Sequence, residues 1–410
     1  MKCLVLHPDI GFRDTRRTPE HALSEAVSLA AALDLHILDA LVVRLPKARA
    51  GLLFGSGKID ELAQIITAND VDLVMIDGPV TPIQQRNLER RWRTKVIDRT
   101  GLILEIFGAR ARTREGVLQV DLAALSYQKS RLVRSWTHLE RQRGGLSFVG
   151  GAGETQIEAD RRAIDDAIVR LKRQLKKVRK TRALHRAARA RVPFPIVALV
   201  GYTNAGKSTI FNRLTGAGVL VKDMLFATLD PTMRSVELAG GKEVILSDTV
   251  GFISDLPTQL VAAFRATLED VLDADLILHV RDISHPDSKA QAADVLDILN
   301  QMGVRDPAQN TMIEVWNKVD MASDLAALPA NGAVKTSALN GAGFDDLQSA
   351  IETALLEKTT GEVLTLGFED GKKRAWLFDQ NIVSHEDQTD NGFTLSVNWT
   401  QKQARRFSKL

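Results

Sequence analysis

The sequence predicts an α/β chain in four parts: a small parallel α/β domain, a long antiparallel helical hairpin, a second α/β domain, and a small α+β domain at the end. Three observations predict it. Short apolar runs alternate with helical patterns up to about residue 108. Two heptad stripes follow, separated by a glycine-rich break. Then the apolar run Pro195–Val200 leads through Gly201-Tyr202-Thr203-Asn204-Ala205-Gly206-Lys207-Ser208-Thr209 into a helical pattern.

Composition sets the frame. The chain has 410 residues, 44% hydrophobic and 26% charged, which is ordinary globular composition with room for two to four domains. Its apolar runs are too short to cross a bilayer. Met1–Asp9 looks like a first strand rather than a signal peptide. The one cysteine, Cys3, excludes an intrachain disulfide and a Cys-based metal cluster, and it is expected buried in that strand. A cytoplasmic protein is expected.

Residues 1–108 form the first domain. Its expected strands are Cys3–Leu6, Leu38–Val43, Val71–Ile76 and Lys95–Ile97. Its expected helices are Glu20–Leu33, Ile59–Asn69, Thr81–Arg91 and Gly101–Phe107. Gly55-Ser56-Gly57-Lys58 suggests a second nucleotide loop, but Lys58 is followed by Ile59, and no Gly stands five positions before the lysine. A tight turn opening a helix fits better.

Residues 109–191 form the hairpin. Leu118, Leu122, Leu125, Lys129, Leu132, Trp136 and Leu139 repeat at spacings of three and four, as do Ile157, Arg161, Ile164, Ile168, Leu171, Leu175 and Val178. The first helix, from about Val117 to Glu140, would be roughly 36 Å long. Net charge is +3 for the whole chain, yet Arg110–Arg191 holds 21 Lys and Arg against 8 Asp and Glu. An excess of 13 positive charges on one segment points to an anionic partner. Arg131, Arg134, Lys172, Lys176 and Arg179 lie off the stripes and are the expected phosphate contacts. The tip, Arg141–Thr155, is longer than a hairpin turn needs. It carries five glycines and Phe148, which suits a close approach to RNA and stacking on an unpaired base.

Residues 192–358 carry the chemistry. Gly201–Thr209 fits G-x-x-x-x-G-K-[ST] at every fixed position, between a strand and a helix. Gly201 and Gly206 let the backbone aim its N–H groups at phosphate oxygens, and the helix dipole adds to them. Lys207 is expected on the β- and γ-phosphates and Ser208 on Mg²⁺. Asp248-Thr249-Val250-Gly251 ends a strand. Asp248 is expected to hold Mg²⁺ through water, and the Gly251 N–H to meet the γ-phosphate. In Phe226-Ala227-Thr228-Leu229-Asp230, Thr228 is the candidate that closes on Mg²⁺, with Thr232 as its rival. Asn317-Lys318-Val319-Asp320 names the base. Asp320 can accept from N1–H and the 2-amino group of guanine, and adenine lacks that donor pair. Asn317 can bridge to the phosphate loop, and Lys318 can lie along the purine. Ser337-Ala338-Leu339 would offer an N–H to the guanine oxygen. The order of these elements implies a P-loop GTPase domain with GTP and Mg²⁺. Phe252 follows Gly251, where many GTPases place a water-orienting Gln or His, and it cannot hydrogen-bond a water. Arg234 and Arg265 are the candidate arginine fingers. Slow hydrolysis is expected without a partner. Asn204 is a candidate for holding K⁺ against the phosphates, or else it caps the turn. Residues 359–410 show two strand-like runs, Glu362–Phe368 and Phe393–Trp399, and form the α+β domain.

Taken together, the phosphate loop, Asp248–Phe252, Gly55–Lys58 and above all Gly150-Gly151-Ala152-Gly153-Glu154-Thr155-Gln156-Ile157-Glu158 resemble the HflX GTPases over essentially the whole chain. The resemblance implies binding to the large ribosomal subunit and its rRNA, with the hairpin tip near the peptidyl transferase centre. It also implies GTP-dependent splitting of stalled ribosomes under stress. No DNA partner is expected, and a monomer is. Two other readings stay open: a signalling GTPase with a protein effector, and an RNA-remodelling NTPase with a second nucleotide site in the first domain.

Overall fold

The first strand is apolar on both faces, which suits the middle of a sheet covered on both sides. In the computed structural model, β1 (Lys2–Ile10) lies between β2 (His36–Leu45) and β3 (Leu73–Ile76), with β4 (Lys95–Asp98) beyond β3, all parallel. The structure describes the chain except residues 12–15, 143–151, 190–193, 217–224, 227–231, 255–270, 273, 303–310, 323–331, 356–359, 381, 390–391, 400–403, 405–406 and 408–410. For 133–142, 152–157, 179, 181–189, 311 and 360 it describes the backbone alone.

Alternation sorts the first strand. Leu4 and Leu6 face α2 (Ser56–Ala68) and α3 (Pro82–Trp92), while Cys3 and Val5 face α1 (Pro19–Ala31) and α4 (Arg99–Arg110). Burial pushes the Cys3 thiol up to about 11, as suits a buried, inert cysteine. Local chemistry fixes the helix starts. Thr18 caps α1 and Pro19 opens it. Thr81 and Gln84 make a reciprocal capping box on α3. Gly55-Ser56-Gly57-Lys58 opens α2, with Lys58 Nζ paired to Glu61 at 2.7 Å. The turn reading therefore holds, and this lysine is engaged by its own helix.

The hairpin is α5 (Arg114–Gln142) and α6 (Ala152–Arg189), longer at both ends than the heptads suggested. Leu118, Ile168 and Leu175 are buried on the expected stripes. A second covered face of α5 was not expected. Val120 and Ala123 are buried in the core that α4 lines. Tyr127 Oη donates to Asp98. Arg131, expected on an outer face, pairs with Asp98, donates to Gln85 and stacks over Tyr127 at 4.4 Å. It is held by the first domain and is not free for RNA. Lys172, Arg173, Lys176, Lys177 and Lys180 are exposed, as expected for the outer face of α6. Arg134, Arg179 and Phe148 have no described side chain, and most of the tip lies outside the described residues.

The next sheet runs β10 (Val334–Lys335), β9 (Thr311–Asn317), β8 (Leu276–Asp282), β5 (Ile196–Gly201), β7 (Glu243–Asp248), β6 (Thr232–Glu237), and only the edge strand β6 is antiparallel. Helices α7 (Lys207–Thr215), α8 (Ser288–Met302) and α9 (Phe344–Ala354) accompany it. One apolar cluster joins Val5 of β1 and Leu102 and Phe107 of α4 to Val200, Phe226 and Phe252 of the second α/β domain. The stretch Met1–Ala350 is thus one compact unit, and Ile351–Leu410 is a second.

In that second unit β13 (Gly392–Trp399) lies between β11 (Thr360–Leu366) and β12 (Val383–Thr389), all antiparallel, with α10 (Gly371–Asp379). Leu377, Leu395, Val397 and Trp399 form its core. The expected first strand stops at Leu366, and exposed Phe368 opens a 3₁₀ turn. Strand β12, Val-Ser-His-Glu-Asp-Gln-Thr, has a single apolar residue, so the sequence did not show it. Among the described residues no helix is long and apolar enough to cross a membrane.

Candidate nucleotide-binding site

The C-terminal ends of parallel strands converge on one edge of the six-stranded sheet, where α/β folds bind ligands. The loop from β5 to α7 curls there. Gly206 has φ +91°, and a Cβ on it would lie 2.2 Å from Asn317 Nδ2, so only glycine fits. A Cβ on Gly201 would lie equally close to the carbonyl oxygen of Val280. Asn204 stands exposed at the bend with φ 60°. Helix α7 starts at Lys207 with no side-chain cap, and the positive end of its dipole lies at the loop, where it favours an anion.

Lys207 is buried, and its Nζ donates to the carbonyls of Gly201 at 3.1 Å and Tyr202 at 2.8 Å. Burial lowers its pKa to about 8, with only Asp248 drawing it back up. A phosphate at the loop would supply the missing counter-charge. Two of the three expected magnesium ligands meet: Ser208 Oγ donates to Asp248 Oδ2 at 2.7 Å. These are hard oxygen donors, as Mg²⁺ requires. Among the described residues no group of three or more His, Cys, Asp or Glu side chains could hold a metal, so such an ion would complete its shell from phosphate and water. Gly251 follows on the strand's exit. Phe252 is buried, its N–H donates to Gly201 O at 3.1 Å, and its carbonyl accepts from Thr203 N at 2.7 Å. The phosphate loop and this segment therefore lie side by side. Thr209 sits half-buried in the first turn of α7.

The base side is built around Asn317, which is 1% exposed. Its Nδ2 donates to Ala205 O at 2.9 Å, and its Oδ1 accepts from Ala338 N at 3.0 Å. Asn317 thus ties the phosphate loop to the Ser337-Ala338-Leu339 loop. Lys318, at φ 63°, pairs with Asp282 at 2.7 Å. Asp320 is exposed in the 3₁₀ turn Val319–Met321. Ser337 N donates to Ala342 O, and the Ala338 N–H is used by Asn317. That leaves the N–H of the exposed Leu339 for a ligand. Arg213 holds this loop through the carbonyls of Ala338 and Leu339, both at 3.1 Å, a role that the sequence did not show.

Phosphate loop, Asp248, Gly251, Asn317, Lys318, Asp320 and the Ser337 loop are therefore brought to one edge. Ala227 and Thr228 lie outside the described residues, as does Arg265. Thr232 opens β6 and pairs across the ladder with Asp248. Arg234 is exposed on the same edge strand. Phe226 is buried, with φ 57°, and its ring packs edge-on against Phe107 of the first domain at 4.6 Å. Its side chain faces that domain.

Comparison with known proteins agrees with this geometry. Residues 20–108 match the family described as GTP-binding GTPase N-terminal, 110–189 the GTP-binding GTPase Middle Region, and 196–318 the 50S ribosome-binding GTPase. GTPase HflX of Magnetococcus marinus is 49% identical over 367 residues, covering 88% of this chain and 84% of that one. GTPase HflX of Escherichia coli is 40% identical over 376 residues, covering 90% and 87%. A crystal structure of SsGBP with GDP matches at 21% identity and a TM-score of 0.50, covering 86% of this chain and 98% of that one, which bears on the fold. Identity of this level along nearly the full length of both partners means that the chain belongs to the HflX family of GTPases, and that it binds and hydrolyses GTP.

Proposed function

We propose that this GTPase binds the large ribosomal subunit through its hairpin and splits stalled ribosomes under stress, with hydrolysis slow alone and stimulated by the ribosome. One observation carries the reading: Lys172, Arg173, Lys176, Lys177 and Lys180 are exposed on α6, while the apolar stripe of the same helix is turned inward. A one-signed helix face of this kind suits a phosphate backbone. The matched family described as a 50S ribosome-binding GTPase supports the choice of the large subunit.

The site supports the second half. Lys207 and the first turn of α7 would bind the β- and γ-phosphates, and the Gly251 N–H would mark the γ-phosphate. Asp320 and the Leu339 N–H would select guanine. Ser208 and Asp248, joined by Thr228, would hold Mg²⁺, which when bound neutralises charge between the phosphates. Asn204 would hold K⁺ near the same oxygens. Phe252 is 2% exposed and packed into the core, so it orients no water. A group supplied in trans would complete the site. The test is a light-scattering assay of ribosome dissociation with GTP. Replacing Gly144–Gly153 by a short neutral turn should keep GTP binding and abolish dissociation. A tip-replaced protein that splits ribosomes at the normal rate would refute the reading.

A further inference from the structure

Ser254, three residues beyond Gly251, is held at each of its polar atoms. Its N–H donates to Tyr202 Oη at 2.8 Å, and its Oγ donates to Glu25 Oε1 at 2.7 Å. Its carbonyl accepts from Arg99 Nη2 at 3.1 Å, and its Oγ accepts from the same nitrogen at 2.9 Å. Glu25 and Arg99 belong to α1 and α4 of the first domain. Tyr202 belongs to the phosphate loop, but its hydroxyl reaches Glu25 of the first domain. It donates to Glu25 and accepts from Arg17 at 2.9 Å, so with Ser254 its bonding capacity is full. Arg99 continues the chain to Asp77 at 2.7 Å, and Asp77 to His7 at 2.8 Å.

Burying this much charge stabilises little compared with apolar packing, and its better-attested return is a single fixed arrangement. Here that arrangement lies at the start of the segment that senses the γ-phosphate. Phe252 and Ile253, which connect Gly251 to Ser254, are buried at 2% and 0% exposure. Phe252 is bonded to the phosphate loop on both of its backbone groups. Little slack separates Ser254 from Gly251, and a Cβ on Gly251 would lie 2.9 Å from Thr203 Cα.

We propose that Tyr202 and Glu25 are positioning residues for the γ-phosphate: seated against the first domain, the Tyr202 hydroxyl fixes Ser254 and through it the Gly251 N–H. The inference rests on the reading of Gly251 as the γ-phosphate contact. GDP makes no contact with that N–H and GTP does. Loss of the tether therefore acts on one nucleotide and not the other. Burial opposes ionisation of Glu25, but the guanidinium groups of Arg99 and Arg17 outweigh it and hold the carboxyl below its usual range, so it accepts from Tyr202 as a carboxylate.

The experiment measures affinities of the full chain for GDP and for a non-hydrolysable GTP analogue, for the unaltered protein, Tyr202→Phe, Glu25→Gln and the double variant. Each single change should lower affinity for the analogue relative to GDP by about fivefold, the effect of one lost hydrogen bond. The double variant should show no further shift, because both act through one chain of bonds. Glu25→Gln leaves Arg17 and Arg99 short of counter-charge and can unseat the domain. Tyr202→Phe removes no charge, so it decides. An unchanged ratio in Tyr202→Phe overturns the proposal. An equal loss for both nucleotides overturns it too, since that marks a general role in folding. Failure of the γ-phosphate reading itself would show differently: Gly251→Ala, whose Cβ would crowd Thr203 and shift this N–H, would then leave the ratio of analogue to GDP affinity unchanged.

Discussion

Lys207 carries the sharpest consequence at the scale of single residues. Folding buries its ammonium and lowers the pKa to about 8, whereas phosphate returns the positive form to favour. Below pH 8 the free protein already holds the proton. Above it, binding must take a proton up, so GDP affinity should fall with rising pH and approach tenfold per unit. Titration by fluorescent GDP between pH 7 and 9 checks this, and a flat profile contradicts it. Asp320→Asn should move base preference from guanine towards xanthine nucleotides, because it turns an acceptor into a mixed group. Unchanged GTP preference in that variant would remove Asp320 from base recognition. These residues were legible because each motif is contiguous and its chemistry local. Arg213, Asp282 and Thr336 were not. They reach the site only after the fold brings distant loops together, with Thr336 beside Asn317 at 3.4 Å and Arg213 more than a hundred residues from the loop it holds.

At the scale of elements, the hairpin separates two kinds of arginine and lysine. Lys172 and Lys176 are exposed on α6 and should act through charge alone. Changing both to Ala should lower the salt slope of ribosome binding by up to about two, with stability unchanged. Arg131 should behave in the opposite way. Arg131→Ala leaves the buried Asp98 without its ion-pair partner and should destabilise the fold by about 2 kcal/mol, read by thermal denaturation, while the salt slope stays put. A reduced salt slope with normal stability would reverse that assignment. The heptads revealed the hairpin and its inner stripe because a 3.5-residue period is written along one helix. They could not reveal that α5 also packs on α4, since Val120, Ala123 and Tyr127 find their partners in another domain. Strand β12 escaped notice for a related reason: a polar edge strand has no apolar alternation to read.

Across the whole molecule, the first domain and the GTPase domain share one apolar cluster and the charged chain from His7 to Ser254. Neither was visible in the sequence, because their members are scattered over some 250 positions and none forms a motif. Composition and periodicity separate the parts well, yet they say nothing about which surfaces meet. The consequence is functional. The residues proposed to meet phosphate, guanine and magnesium are brought to one edge, but Phe252, proposed to stand where other GTPases orient a water, is buried. The chain should therefore turn GTP over slowly by itself and be completed by the particle that its basic hairpin is proposed to bind. Steady-state GTP turnover with and without purified large ribosomal subunits tests this most directly. Stimulation of at least about tenfold, lost at high salt with the hairpin's phosphate contacts, is the expected result. Turnover that is the same with and without subunits would contradict it.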